Sequence, residues 1–110
     1  MLAHGLKTIF DPTGEQGLGY EGHVVYTATR TRLINDQMAK WIQGTEGTKQ
    51  VANLGAGTDT RVFWADCLKD VNTYIEVDTQ PVNDHKNKIL EDLKSKGELT
   101  DPKCERKIIS

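Results

Sequence analysis

A chain of 110 residues holds one domain or part of one. With 27% charged residues, 36% apolar residues and a net charge of −2, it has the composition of a soluble globular chain. That balance lacks the basic footprint of a sequence-independent nucleic-acid binder, and no run approaches the roughly 18 apolar residues of a membrane helix. The opening Met1-Leu-Ala-His-Gly-Leu-Lys7 has no charged segment ahead of an apolar one, so no signal peptide is expected. Cys67 and Cys104 form no Cys-x-x-Cys pair, and His4, His23 and His85 make no metal-ligand spacing. These features predict a cytoplasmic chain with reduced cysteines and no structural metal, partnered with neither nucleic acid nor membrane.

Leu2, Leu6, Ile9 and Phe10 fall on one face of a short helix, which Asp11-Pro12-Thr13-Gly14 breaks. Gly14, Gly17, Gly19 and Gly22 predict an irregular connector up to residue 22. Residues 24–43 read as a helix with Ile34, Met38, Trp41 and Ile42 on its apolar face and Gly44 as its stop. By pattern alone, Arg30 and Arg32 are a solvated part of that helix. After a polar turn over 44–49, residues 51–54 read as a short strand without polar alternation, which suits a parallel strand covered on both faces.

Residues 60–68 carry Val62, Phe63 and Trp64 and predict a short helix packed on the sheet, capped by Thr58 or Asp59. Residues 73–77, β-branched and aromatic, are the second strand. Pro81 suits the first turn of a further helix, capped by Thr79 or Gln80 and stopped by Gly97. Val82, Ile89, Leu90 and Leu93 are its expected buried stripe. Asp84, Lys86, Lys88, Glu91, Asp92 and Lys94 are its expected solvated face. A charged loop over 98–106 leads into a third strand beginning at Lys107. Residues 1–49 thus form an N-terminal helical, lid-like segment, and 50–110 the first part of a ligand-binding α/β domain. Two strands and the start of a third bury a parallel sheet poorly, so a larger domain or a second copy of the chain is expected to complete the core.

Strand, glycine turn, helix, strand, acid is the order of parts in a nucleotide-binding half-domain. Gly55 and Gly57, flanking Ala56, let backbone approach a ligand closely, and the next helix start offers N–H groups. A dinucleotide fingerprint would have a third glycine at position 60, where this chain has Thr60, and Asp59 adds negative charge to the turn. Both departures point away from NAD(P) or FAD and toward a nucleoside ligand without a diphosphate. S-adenosyl-L-methionine, a sulfonium cation beside an adenosine, is the first choice. Asp78 follows Gly57 by 21 residues, where an acid meets ribose hydroxyls, and Glu76, two residues earlier, is its rival.

Asn53-Leu-Gly-Ala-Gly-Thr-Asp-Thr-Arg61, followed by Tyr74-Ile-Glu-Val-Asp78 and by Pro81 with Lys86, resembles the leucine carboxyl methyltransferase family, which also takes in bacterial O-methyltransferases assigned to polyketide-type metabolism. Upstream, Ala28-Thr-Arg30-Thr-Arg32-Leu-Ile-Asn-Asp36 is similar to the arginine-bearing helix of these proteins. The resemblance runs from about Gly19 to Lys88. It implies an α/β fold, the N-terminal portion of a Rossmann-like class I methyltransferase: helices, then strand–helix–strand–helix and the start of a third strand. It implies S-adenosyl-L-methionine as cofactor and a carboxyl or hydroxyl acceptor on a small molecule or a protein. Arg30 matches the arginine that holds the methionine carboxylate, Gly55 the glycine lining the cofactor, and Asp78 the ribose-binding acid. Arg32 is then an ion-pair partner. The family continues well past this stretch, so part of the cofactor site and little of the substrate site is expected here, with no general base and with His23 and His85 at the surface. An inactive remnant acting by association or oligomerisation is the alternative, and an NAD-dependent oxidoreductase is a weaker third reading.

Overall fold

The computed structural model describes residues 19–110, so the helix expected over 2–10 and the turn that ends it lie outside the described residues. The chain divides into two compact units, Met1–Gln37 and Met38–Ser110. Helix α1, Gly19–Gly44, runs from the first into the second. It begins five residues earlier than the pattern suggested, taking in Gly19 and Gly22, with Glu21 in its first turn where the helix dipole favours an acid. Arg32 pairs with Asp36 at 3.3 Å across one exposed turn, an arrangement that adds little stability.

The second unit holds β1 (Gln50–Leu54), α2 (Arg61–Trp64), a 3-10 turn (Asp66–Asp70), β2 (Thr73–Val77), α3 (Gln80–Ser95) and β3 (Glu105–Ile109). The three strands are parallel in the order β1-β2-β3, with Leu54 beside Val77 and Val77 beside Ile109. Strand β2 is therefore central. Ile42, Val62, Phe63, Ala65, Leu68, Val71, Tyr74 and Leu90 form the core, with Met38 and Val51 packed against it. Of the apolar face expected on α1, Ile42 is buried, Met38 borders the core and Trp41 is exposed.

Four expectations need correction. Strand β1 is not covered on both faces, since Ala52 and Leu54 are exposed. The segment after the glycine turn is not one helix. It breaks at Ala65, whose extended backbone lets both Phe63 and Leu68 turn toward the core. Strand β3 starts at Glu105, because Arg106 points inward rather than belonging to a charged loop. Helix α3 is rotated from its predicted face. Asn83, Lys86 and Leu90 are buried, at i, i+3 and i+7, whereas Val82 and Ile89 are exposed. Its end is as expected: Gly97, at φ +71°, donates to the Lys94 carbonyl, and the Glu98 N–H to that of Leu93, a Schellman stop.

The reason for the rotation is Glu76. Its side chain is 2% exposed on the central strand. Lys86 Nζ lies 2.6 Å from Oε1, and Arg106 Nε and Nη2 lie 2.6 Å from Oε2. Arg106 also stacks 5.6 Å from the Phe63 ring centre and donates to Asn87 Oδ1. A carboxylate cannot be buried without such partners, so α3 must present Lys86, and β3 must present Arg106, to this face. Replacing Glu76 by Leu strands two cations in the interior and is expected to cost about 3–5 kcal/mol in urea denaturation. The triple variant Glu76→Leu, Lys86→Met, Arg106→Leu is expected to recover most of that loss. Equal midpoints for Glu76→Leu and the unmodified chain would contradict this account.

Candidate functional site

The chain leaves β1 at Leu54 and turns through Gly55 (φ +70°) and Gly57 (φ +49°), a left-handed backbone that side chains rarely adopt. The N–H groups of Gly55 and Ala56 donate to the Val77 carbonyl at 2.8 and 3.1 Å, clamping the turn to the end of β2. The Gly57 N–H donates to Asp78 Oδ2 at 2.8 Å, and the Thr79 N–H to Asp78 Oδ1 at 2.7 Å. The parallel β1–β2 pairing brings these residues together, because it places both strand ends on one edge. The Thr79 N–H, then the Gly57 N–H, hold the Asp78 carboxyl below the ordinary aspartate range, with the Lys86 charge adding to them.

Asp59 closes the turn from the other side. Its Oδ1 accepts the Arg61 N–H at 2.8 Å, and its Oδ2 accepts Arg61 Nη1 at 2.9 Å and Asn53 Nδ2 at 3.0 Å. Asn53 Nδ2 also donates to the Tyr74 hydroxyl, whose pKa burial raises, helped by the nearby Asp59 charge. This corrects the electrostatic reading of Asp59. Its charge is compensated within the turn by Arg61. Thr60 stands at the N-cap of α2 and makes no side-chain capping bond.

Five of the predicted site residues lie in the second unit and Arg30 in the first. Gly55, Ala56, Gly57 and Asp78 meet at the ends of β1 and β2. Glu76 is two residues from Asp78 but lies in the interior, with both oxygens held by Lys86 and Arg106. Arg30 belongs to the first unit, on an exposed stretch of α1 with Tyr26 and Leu33 nearby. Lys86 was expected on a solvated face and is instead 6% exposed. An acid in the middle of a central strand is a signal that could have found it, since such an acid requires a buried cation.

Among the described residues a β-carbon built on Gly55 meets nothing within 4 Å, so these residues leave the outer side of the turn uncovered. The N–H groups of Gly55, Ala56 and Gly57 are already engaged by Val77 and Asp78, and these three donors are not presented to an incoming phosphate. Each Asp78 oxygen has a second lone pair, which suits hydroxyl donors. Among the described residues no group of three or more His, Cys, Asp or Glu could hold a metal ion, and no helix is long and apolar enough to cross a membrane.

This three-stranded parallel sheet, with its helices and glycine turn, is the N-terminal part of a Rossmann-like methyltransferase fold. Residues 6–109 match the family model described as leucine carboxyl methyltransferase, and the chain belongs to that family. Among curated proteins, leucine carboxyl methyltransferase 1 of Schizosaccharomyces pombe is 51% identical over 37 residues, which cover 34% of this chain and 12% of that protein. The match thus spans far less than two thirds of the relative's length. No solved structure matches the chain significantly.

Because the folded-state pKa of Asp78 is lowered, its stabilising contribution is fully present above the ordinary aspartate value of about 3.9 and is lost as pH falls through the folded value. Thermal unfolding followed from neutral pH to about pH 3 is expected to show a shallower acid decline for Asp78→Asn than for the unmodified chain. Superimposable acid limbs would show that the two backbone N–H bonds do not hold the carboxylate.

Proposed function

We propose that this chain carries part of the cofactor site of an S-adenosylmethionine-dependent O-methyltransferase. The observation that carries the reading is the placement of the Asp78 carboxylate against the Gly57 N–H at the shared end of two parallel strands. Family membership supports the reaction class. The open turn at Gly55 would face the adenosine, and Asp78 would accept hydrogen bonds from both ribose hydroxyls. Arg30 would pair with the methionine carboxylate through its planar fork of donors. When bound, S-adenosylmethionine supplies an electrophilic methyl group on its sulfonium. The protein's part in such a transfer is to hold the donor in line with a carboxylate or hydroxyl oxygen of a small-molecule or protein acceptor. The reading keeps the chain in the cytoplasm.

The engaged N–H groups of the turn favour this cofactor over a dinucleotide, for which unpaired donors at a helix start are the usual cradle. A second reading, an inactive module that acts by association, is favoured by the open apolar surface of the sheet, where Leu54 is 78% and Ile109 50% exposed.

Calorimetric titration with S-adenosylhomocysteine, run beside sedimentation of the same sample, tests both readings. Binding is expected for the unmodified chain, and Asp78→Asn is expected to weaken it about tenfold or more through a lost charge-assisted bond. No heat at about 1 mM ligand would contradict the methyltransferase reading. A concentration-dependent dimer in that silent sample would favour the second.

A further inference from the structure

We propose that Lys86 is a positioning residue for the glycine turn: its buried ammonium fixes the Asp59 carbonyl, and through it the Gly57 N–H that faces Asp78. The inference rests on the reading of that turn as the cofactor site. Lys86 Nζ donates to two acceptors, Glu76 Oε1 at 2.6 Å and the backbone carbonyl of Asp59. The first bond anchors the ammonium to the central strand. The second reaches across to the far end of the turn, 27 residues away in sequence. Asp59 passes the constraint back along the chain, because its N–H donates to the Ala56 carbonyl at 2.9 Å. Gly57 therefore sits between two fixed points, the Val77 clamp on Gly55 and Ala56 and the Lys86 clamp on Asp59.

A purely structural role for Lys86 would end at Glu76, yet Glu76 is already paired with Arg106 at 2.6 Å. Removal of the ammonium leaves one anion and one cation in the interior, a balanced pair, so the carboxylate is not stranded. What goes unanswered is the Asp59 carbonyl. A left-handed glycine turn with one end released has many accessible backbone states, and the N–H groups it orders lose their fixed direction. The Lys86 charge also reaches Asp78, helping to keep that carboxyl ionised.

The test is residue-resolved amide hydrogen exchange on the full chain without ligand, comparing Lys86→Met with Arg106→Gln. Trimethylamine N-oxide is added where needed to keep either variant folded. Arg106→Gln weakens the same buried cluster but leaves the Lys86–Asp59 contact in place. In Lys86→Met the amides of Gly57 and Asp59 are expected to exchange about tenfold faster relative to those of β2, whereas in Arg106→Gln their ratio to β2 stays unchanged. Equal loss of turn protection in both variants, or no loss in Lys86→Met, would overturn the proposal. Titration with S-adenosylhomocysteine is then added. A weaker affinity in Lys86→Met than in Arg106→Gln links the positioning to the cofactor. An unmodified chain that binds nothing removes the cofactor reading and leaves the exchange result to decide the positioning role alone.

Discussion

Glu76 is a carboxylate almost without solvent on the middle strand of a three-stranded sheet, and its neutralisation dictates how the second unit is assembled. One cation comes from α3 and the other from β3, so neither element is free to rotate or slip. A one-residue shift of β3 would turn Arg106 to the opposite face. A rotation of α3 by one position would withdraw Lys86. The apolar core alone imposes no such precision, since Leu90 is the only buried apolar residue that α3 contributes to it. A buried ion cluster adds little net stability compared with well-packed apolar residues. Here it specifies register instead.

That precision reaches the glycine turn. Lys86 is shared between Glu76 and the Asp59 carbonyl, so the cation that sets the orientation of α3 also sets the far end of the turn. The near end is clamped by the Val77 carbonyl and the middle by Asp78. The result is a turn whose geometry is fixed by the sheet beneath it, with the N–H groups of Gly55, Ala56 and Gly57 engaged by Val77 and Asp78 and its outer side uncovered by the described residues. Such a surface suits a ligand that presents hydroxyl donors to Asp78 better than one that presents phosphate oxygens to backbone N–H groups.

Much of this was legible in the sequence. Strand β2 occupies the residues its β-branched pattern predicted, and Gly97 stops α3 with the bonds expected of a glycine there. The meeting of Gly57 and Asp78 followed from spacing, because adjacent parallel strands end together. Three features were hidden, each for a physical reason. Periodicity counts apolar residues only, so a helix that buries Asn83 and Lys86 was rotated onto Val82 and Ile89. Sequence makes Glu76 the rival of Asp78 because an acid beside a nucleotide turn suggests a hydroxyl acceptor, whereas its partner Arg106 lies 30 residues later in what reads as a charged loop. Asp59 reads as added negative charge in the turn because its salt bridge to Arg61 is a local contact that spacing does not reveal.

On the proposed function, Gly55, Ala56, Gly57 and Asp78 would form one ligand-facing surface, while Glu76, two residues from Asp78, is held in the interior. Backbone amide shifts followed during titration of the isotope-labelled chain with S-adenosylhomocysteine test it most directly. The account predicts progressive shifts at Gly55, Gly57, Asp78 and Thr79, and small ones at Glu76 and across β3. Shifts centred on Glu76 and Arg106, with the glycine turn unmoved, would contradict it.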